Sequence, residues 1–265
     1  MLKIYTVLCR AGKMDNYSYI LHSGESGITA VIDPSENAPI IKKLEELNLR
    51  PDFILNTHHH YDHTDGNVEL KELYGAKVVA NINDSARIPG FDIGVEPGKS
   101  YTLTPTALIP AAPDKTRPHC HAESVEKSQP LTDFSFTVID ASAHTQGHIL
   151  YYFPQAKALF TGDTLFNLCI GGLFEGTAEQ MFAALNKIRA LPDDTLFYPG
   201  HEYTFGGAQE AYQYFNGNDD IRRYLEKAQT NLQKGLPAGP FTLAEEKKCN
   251  PYLAATALPE FKNLF

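Results

Sequence analysis

Short apolar runs alternate with amphipathic stretches over most of the chain. "KIYTVL", "YSYILH" and "ITAVIDP" are brief, rich in Tyr, Ile and Val, and bounded by Gly, Asp or Pro. They predict three opening strands. From Ala38 to Leu49, Ile40, Ile41, Leu44 and Leu47 recur at helical spacing with charges between them, and Pro51 closes the stretch. "DFILNT" then predicts a buried strand, "VELKELYG" a helix stopped by Gly75, and "AKVVAN" another strand. "FTVIDAS", "ILYYFPQ" and "KALFTGD" add strands further on. Strands interleaved with helices predict α/β layers.

Two segments break this rhythm. Residues 104–130 hold five prolines and little periodicity, which predicts a long surface insertion. After Gly200 the pattern turns helical: "GGAQEAYQYF", "DDIRRYLEKAQTNLQKG" and "TLAEEKK", with Asp219 or Asp220 as the expected cap of the middle helix. The expected division is a catalytic unit over 1–201 and a small helical unit over 202–265.

Composition narrows the function. The 265 residues are 43% hydrophobic and 21% charged, with a net charge of -9. An acidic chain is poorly suited to a phosphate backbone, so no nucleic-acid partner is expected. No run of eighteen apolar residues occurs, and "MLKIYTVLCRAGK" lacks the build of a secretory peptide, so neither a membrane span nor export is expected. Four cysteines without CxxC spacing suit reduced thiols in the cytoplasm.

The chemistry is concentrated in "LNTHHHYDHTDGN". An apolar strand runs straight into His58, His59, His60, Asp62 and His63. On a strand of period two, His58 and His60 would share one side and His59 the other. Imidazoles with carboxylates suit zinc, iron or manganese, and a cation removes the cost of crowding buried charges. His144, Asp163 and His201 each follow another apolar strand in a Gly-containing turn, in "SAHTQGHI", "LFTGDTLF" and "LFYPGHEYT". Any one of them alone reads as a cap or turn residue; the ordered series points to one metal centre. Asp33, ending "AVIDP", is either a partner that fixes a ligand imidazole or a turn aspartate before Pro34. His148 reads as structural rather than as a ligand.

This series resembles the metallo-β-lactamase fold superfamily. Within it, "DNYSYIL", "FTGDTLF", "FEGT" and "PGHEYT" are similar to glyoxalase II, the hydroxyacylglutathione hydrolases, from about residue 1 to 253. The resemblance implies an αββα sandwich with a small helical C-terminal region and two divalent ions, zinc by expectation with iron or manganese as alternatives. It gives one ion His58, His60 and His144, the other Asp62, His63 and His201, and makes Asp163 the bridge. Asp62 would also orient the attacking water. The implied activity is hydrolysis of S-2-hydroxyacylglutathione thioesters in methylglyoxal detoxification, by a cytoplasmic monomer. A thiol leaving group with pKa near about 8.5 needs little help from an acid, which fits a chain with no obvious separate proton donor.

The likeness thins at the thiol-binding positions. Gly172 stands where the family carries a basic residue, Phe174 where it carries a tyrosine, and Lys262 is the only late basic residue. Tyr203 is retained. Losing cationic partners weakens binding of an anionic tripeptide. Either the carrier is another thiol, because "IGGLFEGT" and "LAEEKK" are similar to trypanothione-using variants, or Lys115, Arg117, His119 and His121 of the insertion supply replacement contacts; a solvated loop is the plainer reading of "RPHCH". Persulfide dioxygenases, phosphodiesterases, β-lactam hydrolases and a non-catalytic binding protein share the fold. The first is disfavoured by the full ligand set, the second by the net charge, the third by the lack of a signal peptide, and the last because no ligand is lost.

Overall fold

The computed structural model describes residues 1–111, 132, 134–216 and 218–265. Among these, two sheets pack face to face. The first has six strands in the order of the chain: β1 (Leu2–Cys9), β2 (Asn16–Ser23), β3 (Thr29–Ile32), β4 (Phe53–Leu55), β5 (Lys77–Asn81) and β6 (Phe91–Val95). The second holds β7 (Ser100–Thr104), β8 (Ala107–Pro110), β9 (Ser135–Asp140), β10 (Ile149–Phe153), β11 (Ala158–Gly162), β12 (Leu196–Pro199) and β13 (Phe241–Thr242), in the order β13-β12-β11-β10-β9-β7-β8.

The helices are α1 (Asn37–Leu47), α2 (Tyr61–Thr64), α3 (Asn67–Tyr74), α4 (Ala178–Arg189), α5 (Thr204–Tyr214), α6 (Asp219–Gln233), α7 (Leu243–Cys249), α8 (Pro251–Ala254) and α9 (Leu258–Lys262). The β10 sequence "ILYYF" shows why its strand reads as continuously apolar. Tyr151 and Phe153 face the first sheet among Leu21, Ile32 and Val79, while Leu150 and Tyr152 face α4 through Met181 and Leu185. A strand covered on both faces loses the polar alternation of a half-exposed one. On the far side, Ile40 and Leu44 of α1 and Leu70 of α3 cover Val31, Ile54 and Val78. The layers are therefore αββα, as expected.

Several local expectations are corrected. Helix α1 ends at Leu47, ahead of Pro51, because Asn48 adopts a left-handed conformation with φ of 52° and closes the last turn. Asn218, rather than either following aspartate, caps α6 by accepting from the Ile221 N–H. The stretch from residue 104 opens as a hairpin, with β8 paired to β7; Lys115, Arg117, His119 and His121 lie outside the described residues. The region after Gly200 is not purely helical, since β13 extends the second sheet beside β12. It also shares one core with the α/β layers: Tyr224, Phe241, Leu253 and Phe261 pack with Leu159 and Phe197. No helix among the described residues is long and apolar enough to cross a membrane.

That shared core contains a buried carboxylate. Glu246 of α7 accepts from the Leu168 N–H (2.6 Å), Asn250 Nδ2 (2.8 Å) and the Tyr224 hydroxyl (2.7 Å). Burial nevertheless raises its pKa to about 7. A carboxyl that binds its proton more tightly folded than unfolded contributes stability below its ordinary pKa, and this is lost as pH rises through the folded value. Glu246→Gln keeps the volume and the accepting oxygen, and its amide can donate to Tyr224. The wild type should therefore lose on the order of 3 kcal/mol relative to the variant between pH 4.5 and 7.5. Urea unfolding of both metal-free proteins across that range checks it; parallel curves would contradict it.

Candidate metal centre

Strands β3, β4 and β5 run parallel, as do β11 and β12. Their carboxyl ends meet at one rim of the sandwich, where an α/β layer presents its loops. β4 delivers the His-rich turn there. The strand ends at Leu55, so His58, His59 and His60 lie in the following turn rather than on the strand. The expected split still holds, for another reason: His59 is drawn away by Asp84, its Nδ1 lying 3.2 Å from Oδ2. Asp62 and His63 sit on the single turn α2, His144 in the β9–β10 connection, Asp163 after β11 and His201 after β12.

These side chains converge. The ligand atoms of His58, His60, His144 and Asp163 lie within 4.8 Å of one another, and so do those of Asp62, His63 and His201. Asp163 faces both groups: Oδ1 is 3.3 Å from His63 Nε2, and Oδ2 is 3.4 Å from both His144 Nε2 and His201 Nε2. All seven expected residues are thus brought together, six of them buried and His60 partly so.

The hydrogen bonds settle which nitrogen four of the imidazoles present. His63 Nδ1 donates to Asp33 Oδ2 (3.1 Å), His144 Nδ1 to the Gly172 carbonyl (2.7 Å) and His201 Nδ1 to the Met14 carbonyl (2.8 Å). A carbonyl only accepts, so these Nδ1 atoms carry the proton and Nε2 carries the lone pair. His58 Nδ1 lies 3.0 Å from Thr57 Oγ1, which itself donates to Asp33 Oδ2 at 2.6 Å. Asp33 is therefore the partner that orients His63 directly and His58 through Thr57, not a mere turn residue.

On one side lone pairs consequently point at one another: His63 Nε2 and His201 Nε2 are 3.3 Å apart. On the other, His144 Nε2 and His60 Nδ1 are 3.0 Å apart, close enough to share one proton. His58 Nε2 and Asp163 Oδ1 are buried with no hydrogen-bond partner. Acceptors facing acceptors are stable only around a proton or a cation. The protein's own charges work in the same direction. Burial opposes protonation of His201, but Asp163 and Asp62 lift its pKa to about 9. His63 is raised against burial by Asp163 and Asp33. His60 is lowered to about 4 by burial and by His144 beside it, and His58 is lowered mainly by burial. A divalent cation would displace the shared protons, and the nitrogen and oxygen donor set fits one.

Asn16, not singled out from the sequence, donates through Nδ2 to Asp62 Oδ2 (2.9 Å) and to the Asp62 carbonyl (3.1 Å). Its only sequence signal is its place in "DNYSYIL". His148 is buried, accepts the Asp163 N–H at Nε2 (3.1 Å) and stacks on His58, so it supports the centre from behind. Beside the cluster opens a cavity of about 370 Å³ lined by His60, Tyr61, Asp62, Phe174, Tyr203 and Met14 among others. Tyr203 stacks on His201 with centroids 4.7 Å apart, and Phe174, 72% exposed, stands edge-on to His144. Gly172 lines the cavity too, but it touches the centre through its carbonyl. Lys262 is paired with Glu179 and does not line this cavity.

A family model described as the metallo-beta-lactamase superfamily matches residues 11–201, and one described as the hydroxyacylglutathione hydrolase C-terminus matches residues 202–263. Fold and site together therefore define a metallo-β-lactamase-type enzyme. The chain is 39% identical to a hydroxyacylglutathione hydrolase of Pelagibacter ubique over 94% of its own length and 93% of the relative's. It is 37% identical to one of Methylococcus capsulatus, over 90% and 82%. The chain belongs to the hydroxyacylglutathione hydrolases, the glyoxalase II family. Among solved structures, ETHE1 from Myxococcus xanthus shares the fold, with a TM-score of 0.65, 22% identity and coverage of 99% of this chain and 89% of that one.

Proposed function

We propose that this enzyme hydrolyses S-2-hydroxyacylglutathione-type thioesters to a 2-hydroxy acid and the free thiol, using two divalent cations at the rim. The observation that carries this reading is the convergence of seven ligand-type residues, with the His63 and His201 lone pairs facing one another, beside an aromatic-walled cavity in a chain of this family. His58, His60 and His144 would hold one ion, Asp62, His63 and His201 the other, and Asp163 both. Zinc is the proposed metal; iron or manganese would satisfy the same donors. Divalent ions so held supply Lewis acidity that brings the pKa of water toward neutrality and polarises a carbonyl.

The chain's own residues do the rest. Asp62, fixed by Asn16, is placed to orient the attacking water. Asp33 and the two backbone carbonyls keep each imidazole lone pair directed inward. Phe174, Tyr61, Met14 and Tyr203 offer an apolar wall to the acyl and thiol chains. A thiol leaves readily near neutral pH, so no dedicated proton donor is required. The reaction sits in a cytoplasmic, monomeric protein on this reading, in keeping with the unpaired thiols of Cys9, Cys169 and Cys249.

No lysine or arginine lines the cavity among the described residues. Glutathione should therefore be held weakly, and a carrier with a cationic arm, such as trypanothione, is the competing thiol. A Cβ at Gly172 would meet only the tip of Phe174, at 3.4 Å, so a lysine fits there. Gly172→Lys with Phe174→Tyr should lower the Michaelis constant for S-lactoylglutathione about fivefold, the worth of about 1 kcal/mol of charge-assisted hydrogen bonding. The parent enzyme is tested with lactoylglutathione, lactoyltrypanothione and acyl-coenzyme A, with elemental analysis of the same sample. No thioester turnover in metal-replete protein would overturn the function; an unchanged Michaelis constant would place the thiol anchor elsewhere.

A further inference from the structure

The two halves of the centre are braced differently. The Asp62, His63 and His201 half leans on Asp33, Asn16 and the Met14 carbonyl. In the other half His58 shares Asp33 through Thr57, but the loops of His60 and His144 are tied to a polar network that no step above uses. Arg87 ends the 3-10 turn Ile82–Arg87 that follows β5. Its Nε donates to Asp84 Oδ1 at 2.6 Å, and its Nη1 donates to Glu175. Asp84 is buried, and its other oxygen holds His59. Glu175 accepts the Gln146 N–H at 2.7 Å, and Gln146 Nε2 returns a bond to the Glu175 carbonyl at 2.7 Å.

Four segments are joined in this way: the His-rich turn, the 3-10 turn, the loop carrying His144 and the loop carrying Phe174. The backbone leaves no slack. The Phe174 and Glu175 N–H groups both donate to the His144 carbonyl at 3.3 Å, and a Cβ at Gly147 would lie 2.3 Å from the Asp84 carboxyl carbon. His60 and His144 must come within 3.0 Å of each other although 84 residues separate them in the chain. On the outer side the Arg87 network links both of their loops, with His59 Nε2 also 3.8 Å from Glu175 Oε1.

We propose that Arg87, with Asp84 and Glu175, is a positioning clamp that sets His60 and His144, and so their half of the centre, and leaves the Asp62, His63 and His201 half unaffected. Arg87 suits the task because its planar fork serves two carboxylates at once, which a lysine could not do. The inference rests on the two-ion reading above. Partners that orient metal ligands are worth about 10- to 100-fold in metal affinity. Removing the clamp should therefore weaken one ion and not the other.

The test is zinc titration of the metal-free protein in competition with a chromophoric chelator. The wild type, Arg87→Met and Glu175→Gln are compared, and the thermal midpoint of each metal-free protein is recorded. The wild type should take two equivalents. Arg87→Met should keep one affinity within about twofold and lose at least about tenfold in the other, with Glu175→Gln changed in the same direction but less. Fewer than two equivalents in the wild type would sink the two-ion reading itself. Two equivalents in the wild type, with both affinities in Arg87→Met unchanged or lowered alike, would sink the clamp. So would an Arg87→Met protein that is unfolded without metal, because the residue would then serve the whole fold rather than one half of the centre.

Discussion

Asp163→Ala should lower kcat by at least about a thousandfold and leave the purified protein with less than half the metal of the wild type. The magnitude corresponds to about 4 kcal/mol, the scale of charge stabilisation that metal centres contribute. The reason is geometric. One carboxylate serves three imidazoles, with Oδ1 toward His63 and Oδ2 toward His144 and His201. Its backbone N–H is held by His148, and it follows Gly162, whose φ of +46° turns the chain sharply off β11. Alanine removes the anion that faces both halves, and a water could replace neither its charge nor its two fixed oxygens. Asp163→Asn separates these contributions, since it keeps the shape and one acceptor while losing the charge. Metal retained with turnover lost would assign the charge to the chemistry. Metal content and turnover both at wild-type levels in the alanine variant would place the centre elsewhere.

The candidate ligands were legible because each is a polar residue at the end of an apolar run. That pattern survives even where its rationale does not. His58 and His60 converge because His59 is pulled toward Asp84, whereas a strand continuing past Leu55 was the expected cause. The layers were legible too, since β10 and β11 are too apolar to have an exposed face. What stayed hidden depends on partners distant in sequence. Asn16 reaches Asp62 across 46 residues, and only the fold decides between the two readings of Asp33, which reaches His63 across 30. Helix α4 carries a complete capping box, with Thr177 and Gln180 exchanging bonds, so its start is written locally in the sequence just behind "FEG". Gly172 stands out in the sequence for the side chain it lacks, while its contact with the centre is a carbonyl, which residue identity does not reveal.

Gly200→Ala should cost at least about a hundredfold in kcat/KM, although one added methyl is among the smallest of substitutions. A Cβ at this position would lie 2.3 Å from Asp163 Oδ1 and 2.8 Å from His63 Cε1. Something must move, and the backbone is not free to do so: the Gly200 N–H donates to the Gly162 carbonyl and its carbonyl accepts from the Tyr17 N–H, both at 2.8 Å. The displaced atoms are therefore the Asp163 carboxylate and the His63 imidazole, and misplacing a reacting group by about 1 Å costs about a hundredfold. Overpacking of this kind costs a fold about 1–3 kcal/mol, so the metal-free variant should remain folded while its affinity for zinc drops. Gly206→Ala provides the contrast. It lies in α5 with open space around its Cβ position, and alanine there should stabilise the helix by about 0.5–1 kcal/mol and leave turnover unchanged. Equal activity in the two variants would mean that Asp163 and His63 are not held where their contacts place them, and that the carboxylate does not bridge the two halves from a fixed position.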